Sequence, residues 1–290
     1  MINFSIIIPF YKGEHFLNRL INSINNAFAM EANSALNLEI IIVVDSPDTD
    51  FNLLCQPYIN GQRISYVFIR NSKNLGVAAS RNKGFEISNG DFLLFIDQDD
   101  EISKNFFLEF LKNTNKDLIV VNALLITPKN HFLWFYITPK INLYNLIMKS
   151  LIRSPGQVIL KRTHFPKEGF PLPKTNFGSD DKFFWIKLFC QFPKMKIKYI
   201  HKPLYRAYLH EQNFSNNWRE LANSSLELWK TINTDVSIKL QELKIKDTKQ
   251  LKFILGYKLS FWDMVSARII YASNRYTLNN ALRFFLKKLF

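Results

Sequence analysis

Two cysteines, Cys55 and Cys190, in a chain of 290 residues leave no room for a disulfide framework or a four-thiolate zinc site. Such a chain is expected in a reducing compartment. Glycine is scarce, at 9 residues, which excludes collagen-like and low-complexity architectures. No uninterrupted apolar run approaches the roughly 18–20 residues that span a bilayer. The opening MINFSIIIPF lacks a basic n-region and a small-residue cleavage site, so it reads as a strand and not as a targeting segment. Acidic residues are outnumbered, 24 against 38 Lys and Arg, for a net charge of +14. Hydrophobic residues make up 47% and charged residues 21%, which excludes a disordered chain. The surplus of positive charge reads either as an attraction for phosphate-rich partners or an anionic surface, or as a compositional bias in a chain rich in Lys, Asn, Ile and Phe together. A non-enzymatic polyanion binder is the competing class. Against it, the 27 Phe and the basic residues spread along the whole chain instead of gathering in one module, and no nucleic-acid motif is present.

Apolar periodicity sets out an open α/β sheet. Residues 4–10 form a β-branched run ended by Pro9, suited to a strand buried on both faces. Phe16, Leu17, Leu20, Ile21 and Ile24 fall at helical spacing over 14–29. Residues 38–44, 64–69 and 91–96 read as further buried strands, and 77–88 as a helix. Beyond them, 103–113 is helical, 117–126 a strand, 165–178 a Pro- and Gly-containing loop, and 180–190 a helix. From about 216 the chain is mostly helical and basic. In such sheets ligands bind at the carboxyl ends of the strands.

Five signals carry chemistry. Asp97-Gln98-Asp99-Asp100 follows an apolar strand directly. Clustered carboxylates repel, so they imply a compensating cation, with helix capping as the plainer reading. Asp45 stands after the second strand, where one acid can accept from a base or ribose. Asn74-Leu75-Gly76 precedes a helix N-terminus that offers free N–H groups to an anion. Arg81, on that helix, is either a phosphate clamp or a salt bridge to the acidic turn. Asp180-Asp181 open an apolar helix, as dipole partners or as a general base. Last come Leu204-Tyr205 and His210-Glu211-Gln212-Asn213.

In this order the five signals resemble the family 2 inverting glycosyltransferases of the GT-A fold. The resemblance runs from Ser5-Ile6-Ile7-Ile8-Pro9-Phe10-Tyr11 through Asn74-x-Gly76, Arg81-Asn82-x-Gly84, Gly90-Asp91 and Phe95-Ile96-Asp97-Gln98-Asp99-Asp100. It continues to Asp180-Asp181 with Trp185 and closes at His210–Ser215. It implies a mostly parallel central sheet flanked by helices over 1–215, with 1–100 the nucleotide-binding half and 101–215 the acceptor half. A basic helical extension then covers 216–290.

The resemblance also implies roles. Pro9, Tyr11 and Asp45 would hold the nucleotide, with Asn74, Gly76, Arg81, Asp97 and Gln98 completing the donor site. Asp97 and Asp99, with His210, would bind a Mn²⁺ or Mg²⁺ on the diphosphate. Asp181, with Asp180 beside it, would be the catalytic base. The partners implied are a nucleotide-sugar donor, usually uridine diphosphate-linked, and a glycan or lipid-linked acceptor, without nucleic acid. The family often carries two acids and a glycine after the second strand; here Asp45 is followed by Ser46. Its usual Glu-Asp pair is Asp180-Asp181 here, and Tyr208 replaces an Arg two residues before the His, with Arg206 nearby. The expected location is cytoplasmic, with a peripheral position on the inner face of the membrane as an option. The tail Arg283, Phe284, Phe285, Lys287, Lys288, Leu289 and Phe290 has two readings, contact with anionic lipid at that face or a helix packed on the catalytic domain.

Overall fold

The computed structural model describes residues 1–31, 35–55, 58, 60–135, 137–174, 178–210, 216–232, 237–260 and 262–264. The motif residues 211–215 and the basic tail 276–290 lie outside the described residues. Two compact units result, and they interleave along the chain. The first comprises 1–138, 152–170 and 191–210; the second comprises the described residues of 139–151, 171–190 and 211–290.

The first unit is built on one mixed sheet. Its strands are β1 (Ile2–Phe10), β2 (Leu36–Val44), β3 (Ile64–Arg70), β4 (Phe92–Phe95), β5 (Glu101–Ile102), β6 (Leu118–Ile126), β7 (His131–Leu133), β8 (Val158–Lys161) and β9 (Ile197–Tyr208). The order is β3-β2-β1-β4-β8-β6-β9-β5, with β7 on the side of β6. β3, β2, β1 and β4 are mutually parallel. β8 runs against β4 and β6, while β9 runs with β6, so only β5, β7 and β8 are reversed. The helices are α1 (Glu14–Ala29), α2 (Phe51–Cys55), α3 (Val77–Ile87) and α4 (Phe106–Leu111).

Burial explains the sequence pattern. Phe4, Ile6, Ile7 and Ile8 of β1 and Ile40 to Val44 of β2 are wholly enclosed, because helices cover both faces of parallel strands. Each such side chain contributes about 1.5–3 kcal/mol when fully buried. Phe4 packs edge-on against Phe107 and Phe110, and Phe92 against Phe110, tying α4 to the sheet centre. Pro9 does not end the strand: β1 continues to Phe10, paired with Val44. The β4 ladder stops at Ile7, two residues before Pro9, so the missing N–H falls beyond that pairing. Four strands, β5, β7, β8 and β9, occupy stretches with no strand reading in the sequence. β9 carries Lys198, Lys202 and Pro203 among its apolar residues, and that interruption hides its period. At its Pro203 the β6–β9 register shifts around Asn122. The buried Asn122 amide donates to the Phe135 and His201 carbonyls, satisfying main-chain groups the bulge leaves open.

The second unit is helical among its described residues: α5 (Leu143–Met148), α6 (Asp180–Gln191, whose last residue groups with the first unit), α7 (Trp218–Leu228) and α8 (Ile238–Ile254). α7 and α5 both pack on α8. Among the described residues no helix is long and apolar enough to cross a membrane. Cys55 and Cys190 are free thiols.

Candidate active site at the carboxyl ends of the parallel strands

β1, β2 and β4 deliver Tyr11, Asp45 and the Asp97–Asp100 turn to one edge of the sheet. Asp45 is buried and accepts three hydrogen bonds. Its Oδ1 receives Asn71 Nδ2 and the Leu75 N–H, each at 2.8 Å, and its Oδ2 receives the Gly76 N–H at 2.8 Å. The acid thus fixes the loop that opens α3. Asn74 Oδ1 accepts from the same Gly76 N–H at 3.0 Å. Gly76 has φ +87° with open space where a Cβ would stand, so backbone conformation and not crowding calls for glycine there.

Gln98 joins the first turn to the acidic turn. Its Oε1 accepts the Tyr11 N–H at 2.8 Å, and its Nε2 donates to the Tyr11 and Lys12 carbonyls. Tyr11 itself remains about half exposed. The Lys12 N–H donates to Ser46 Oγ at 2.9 Å, so the residue after Asp45 serves the turn. Pro9 is buried in β1.

The acidic turn divides its labour. Asp97 Oδ1 pairs with Arg81 Nη2 at 2.6 Å, the salt bridge that is one of the two sequence readings of Arg81. Asp99 Oδ2 lies 2.8 Å from His210 Nε2, and the His210 ring stacks on Phe16 at 5.4 Å. Burial and then the neighbouring Asp97 push the Asp99 carboxyl up, against the pull of His210. Asp100 turns inward instead. It accepts from the Tyr205 hydroxyl and from the Tyr208 N–H at 3.0 Å. Burial, then Asp99 and Asp97, raise its carboxyl well above the ordinary range. Arg206 pairs with Glu101 at 3.3 Å, and the Tyr208 hydroxyl donates to the same carboxylate at 2.8 Å.

Among the described residues no group of three or more His, Cys, Asp or Glu is arranged to hold a metal by itself. Hard cations at a diphosphate need only one or two carboxylates, the phosphates and waters completing the shell. Asp97 and Asp99 fit that requirement in donor chemistry.

Asp180 and Asp181 open α6 in the second unit. Gly178 at φ +87° and Ser179 at φ +57° set the turn before them. Ser179 Oγ donates to the Leu221 carbonyl at 3.0 Å, and Ser225 Oγ donates to Ser179 Oγ at 2.9 Å. Asp180 is buried. Asp181 Oδ1 accepts the Lys182 N–H at 2.6 Å. Sequence reading missed the next layer. Lys182 Nζ and Trp229 Nε1 both reach the buried Asp247 Oδ2 at 2.6 Å. A lone acid on the apolar side of α8 was the available signal.

Comparison with known proteins agrees with this architecture. The Glycosyl transferase family 2 profile matches residues 5–176. The minor teichoic acid biosynthesis protein GgaB of Bacillus subtilis is 28% identical over 123 residues, 41% of this chain and 13% of that protein. The chain therefore spans a small part of GgaB's length. The crystal structure of S. aureus TarS 1–349 in complex with UDP-GlcNAc superposes with TM-score 0.61 at 16% identity, covering 95% of this chain and 81% of that one. The Pyrobaculum calidifontis mannosyltransferase PcManGT in complex with GDP-Man and Mn²⁺ superposes with TM-score 0.57 at 12% identity, covering 99% and 80%. These structural likenesses establish the GT-A fold, and the profile match, with the acids at the strand ends where the motifs put them, establishes that the chain belongs to glycosyl transferase family 2.

Proposed function

We propose that this glycosyltransferase moves a hexose or N-acetylhexosamine from a nucleotide-diphosphate sugar, a UDP-sugar first, to a hydroxyl of a glycan or lipid-linked acceptor, with inversion at the anomeric carbon. The observation that carries the reading is the pair Asp97 and Asp99, held by Arg81 and His210 at the carboxyl edge of the parallel strands. The UDP-GlcNAc bound by TarS supports the donor class, and the name of GgaB, a teichoic acid biosynthesis protein, supports a bacterial surface polymer as product. Work on such a polymer fits a cytoplasmic enzyme at the inner face of the membrane.

Displacement at the anomeric carbon passes through an oxocarbenium-like transition state. Two difficulties follow: the leaving diphosphate gathers negative charge, and the acceptor hydroxyl is a poor nucleophile. Asp99 and Asp97, with His210, would hold Mn²⁺ or Mg²⁺. When bound, that ion neutralises phosphate charge, a contribution of several kcal/mol. Tyr11, Pro9 and Asp45 line up the nucleoside, and Gln98 keeps the two turns that frame it in register. Asn74 and Gly76 shape the loop whose following α3 N-terminus presents N–H groups to the donor. Asp181, backed by Asp180, takes the acceptor proton, which is worth about 10²–10⁴-fold. Inversion requires that base on the sugar face opposite the leaving group.

A panel of UDP- and GDP-sugars with Mn²⁺ tests the reading, first by thermal shift, then by transfer with NMR of the product anomer. Stabilisation by one donor and an inverted product are expected. Retained configuration removes the direct displacement, and full activity in EDTA removes the metal role.

A further inference from the structure

Every other arginine of the first unit meets an oxygen. Arg19 and Arg206 pair with Glu101, Arg63 with Glu31 and Arg81 with Asp97. Arg70 and Arg162 donate to main-chain carbonyls, of Thr49 at 2.7 Å and Gly90 at 2.7 Å. Arg153 differs. Its guanidinium lies over the Trp134 ring, 4.7 Å from the centroid, and no carboxylate or carbonyl among the described residues receives its N–H groups. Arg153 is partly exposed, and desolvation lowers its pKa from the ordinary arginine value, against the opposing influence of Tyr205 and Asp100.

The segment that carries Arg153 is fixed. The Arg153 N–H donates to Gln157 Oε1 at 2.8 Å, and Ser154 caps the following 3-10 turn in a reciprocal box with Gln157. Gly156 lies flat on Tyr205, where a Cβ would stand 2.3 Å from a ring carbon. Ser154 Oγ lies 2.8 Å from the Tyr205 hydroxyl oxygen and 3.4 Å from Asp97 Oδ2. Arg153 is therefore anchored one residue from a side chain that touches the acidic turn.

A guanidinium held on an indole face with no bonded oxygen keeps its N–H groups available to an anion. The planar guanidinium fork matches two oxygens of a phosphate or carboxylate, and the indole face holds that plane in place. We propose that Arg153 is an anion-recognition residue for the donor, pairing with a phosphoryl oxygen of its diphosphate or with a carboxylate on the transferred sugar. This deepens the donor reading above and rests on it.

Titration calorimetry on the full chain with Mn²⁺ decides it, using UDP, UDP-glucose and UDP-glucuronate, with uridine as the phosphate-free control. Arg153→Gln is expected to weaken UDP about tenfold or more if the phosphoryl oxygen is the partner. Under the same pairing, uridine affinity stays unchanged and Arg153→Lys recovers part of the loss. A loss confined to UDP-glucuronate identifies the sugar carboxylate. Wild-type affinity of Arg153→Gln for all three nucleotides overturns the proposal. Should that variant not fold, Arg153→Met, which keeps packing on Trp134, is titrated in its place with the same outcomes. Failure of the wild-type chain to bind any of the three defeats the donor reading itself, and this one with it.

Discussion

The acidic turn after β4 and the acidic pair that opens α6 look alike on paper, yet the fold supports them by different means. In the first unit each acid of the turn has its own side-chain partner from a distant segment: Arg81 for Asp97, His210 for Asp99, Tyr205 for Asp100. In the second unit the pair is set by a strained turn, and the next residue, Lys182, is moored to Asp247 and Trp229. A run of carboxylates is thus not one functional object. Asp100 is an internal strut, whereas Asp97 and Asp99 keep polar partners that a substrate or cation can share.

Substitutions can break this contrast. The largest effects fall on turnover. Asp99→Asn and Asp181→Asn are each expected to lower kcat by about 10²–10⁴-fold, with melting near that of the wild type. Wild-type kcat in either variant would return that acid to a structural role. Next comes Arg81→Met, which leaves Asp97 without its guanidinium. About 2 kcal/mol of stability should go, read by urea unfolding, and a third-exposed Asp97 keeps the cost from being higher.

Asp247→Asn sharpens the second half of the comparison. It removes the counter-charge of Lys182 and should cost about 1–3 kcal/mol. If Asp247 positions the acid pair, kcat falls while donor affinity holds; equal kcat would confine it to packing. Asp100→Asn gives a pH signature in EDTA. The folded-state pKa of Asp100 lies above its unfolded value of 3.8. Its contribution is therefore fully present below that unfolded value and is lost as pH rises through the raised one. The stability of the wild type relative to Asp100→Asn should decline over that window; a flat difference would show that Asp100 does not titrate anomalously. Gly76→Ala is the smallest change, about 1 kcal/mol from the positive φ alone.

Much of the first hundred residues was legible because parallel strands buried on both faces announce themselves as continuous β-branched runs. Ile6 to Ile8, Ile40 to Val44 and Phe92 to Phe95 needed no tertiary information. The later strands were not, since β9 mixes Lys198, Lys202 and Pro203 into its apolar pattern. The site followed the same division. Asp97, Asp99 and Asp45 were visible from position after a strand, and Tyr205 as part of the fifth signal, but Ser154, Asp247 and the partner of Tyr205 were not, because no local pattern marks a partner far away in the chain.

What the sequence determined by itself was the order of strands and acids in the first half of the chain, since periodicity and strand-end position are local properties. Tertiary structure alone decided which carboxylates face inward, which arginine lacks an oxygen among the described residues, and that 139–151 and 171–190 pack with the C-terminal helices. Each of those outcomes depends on burial and hydrogen-bond distance between segments far apart in the chain, and such distances exist only once the chain has folded.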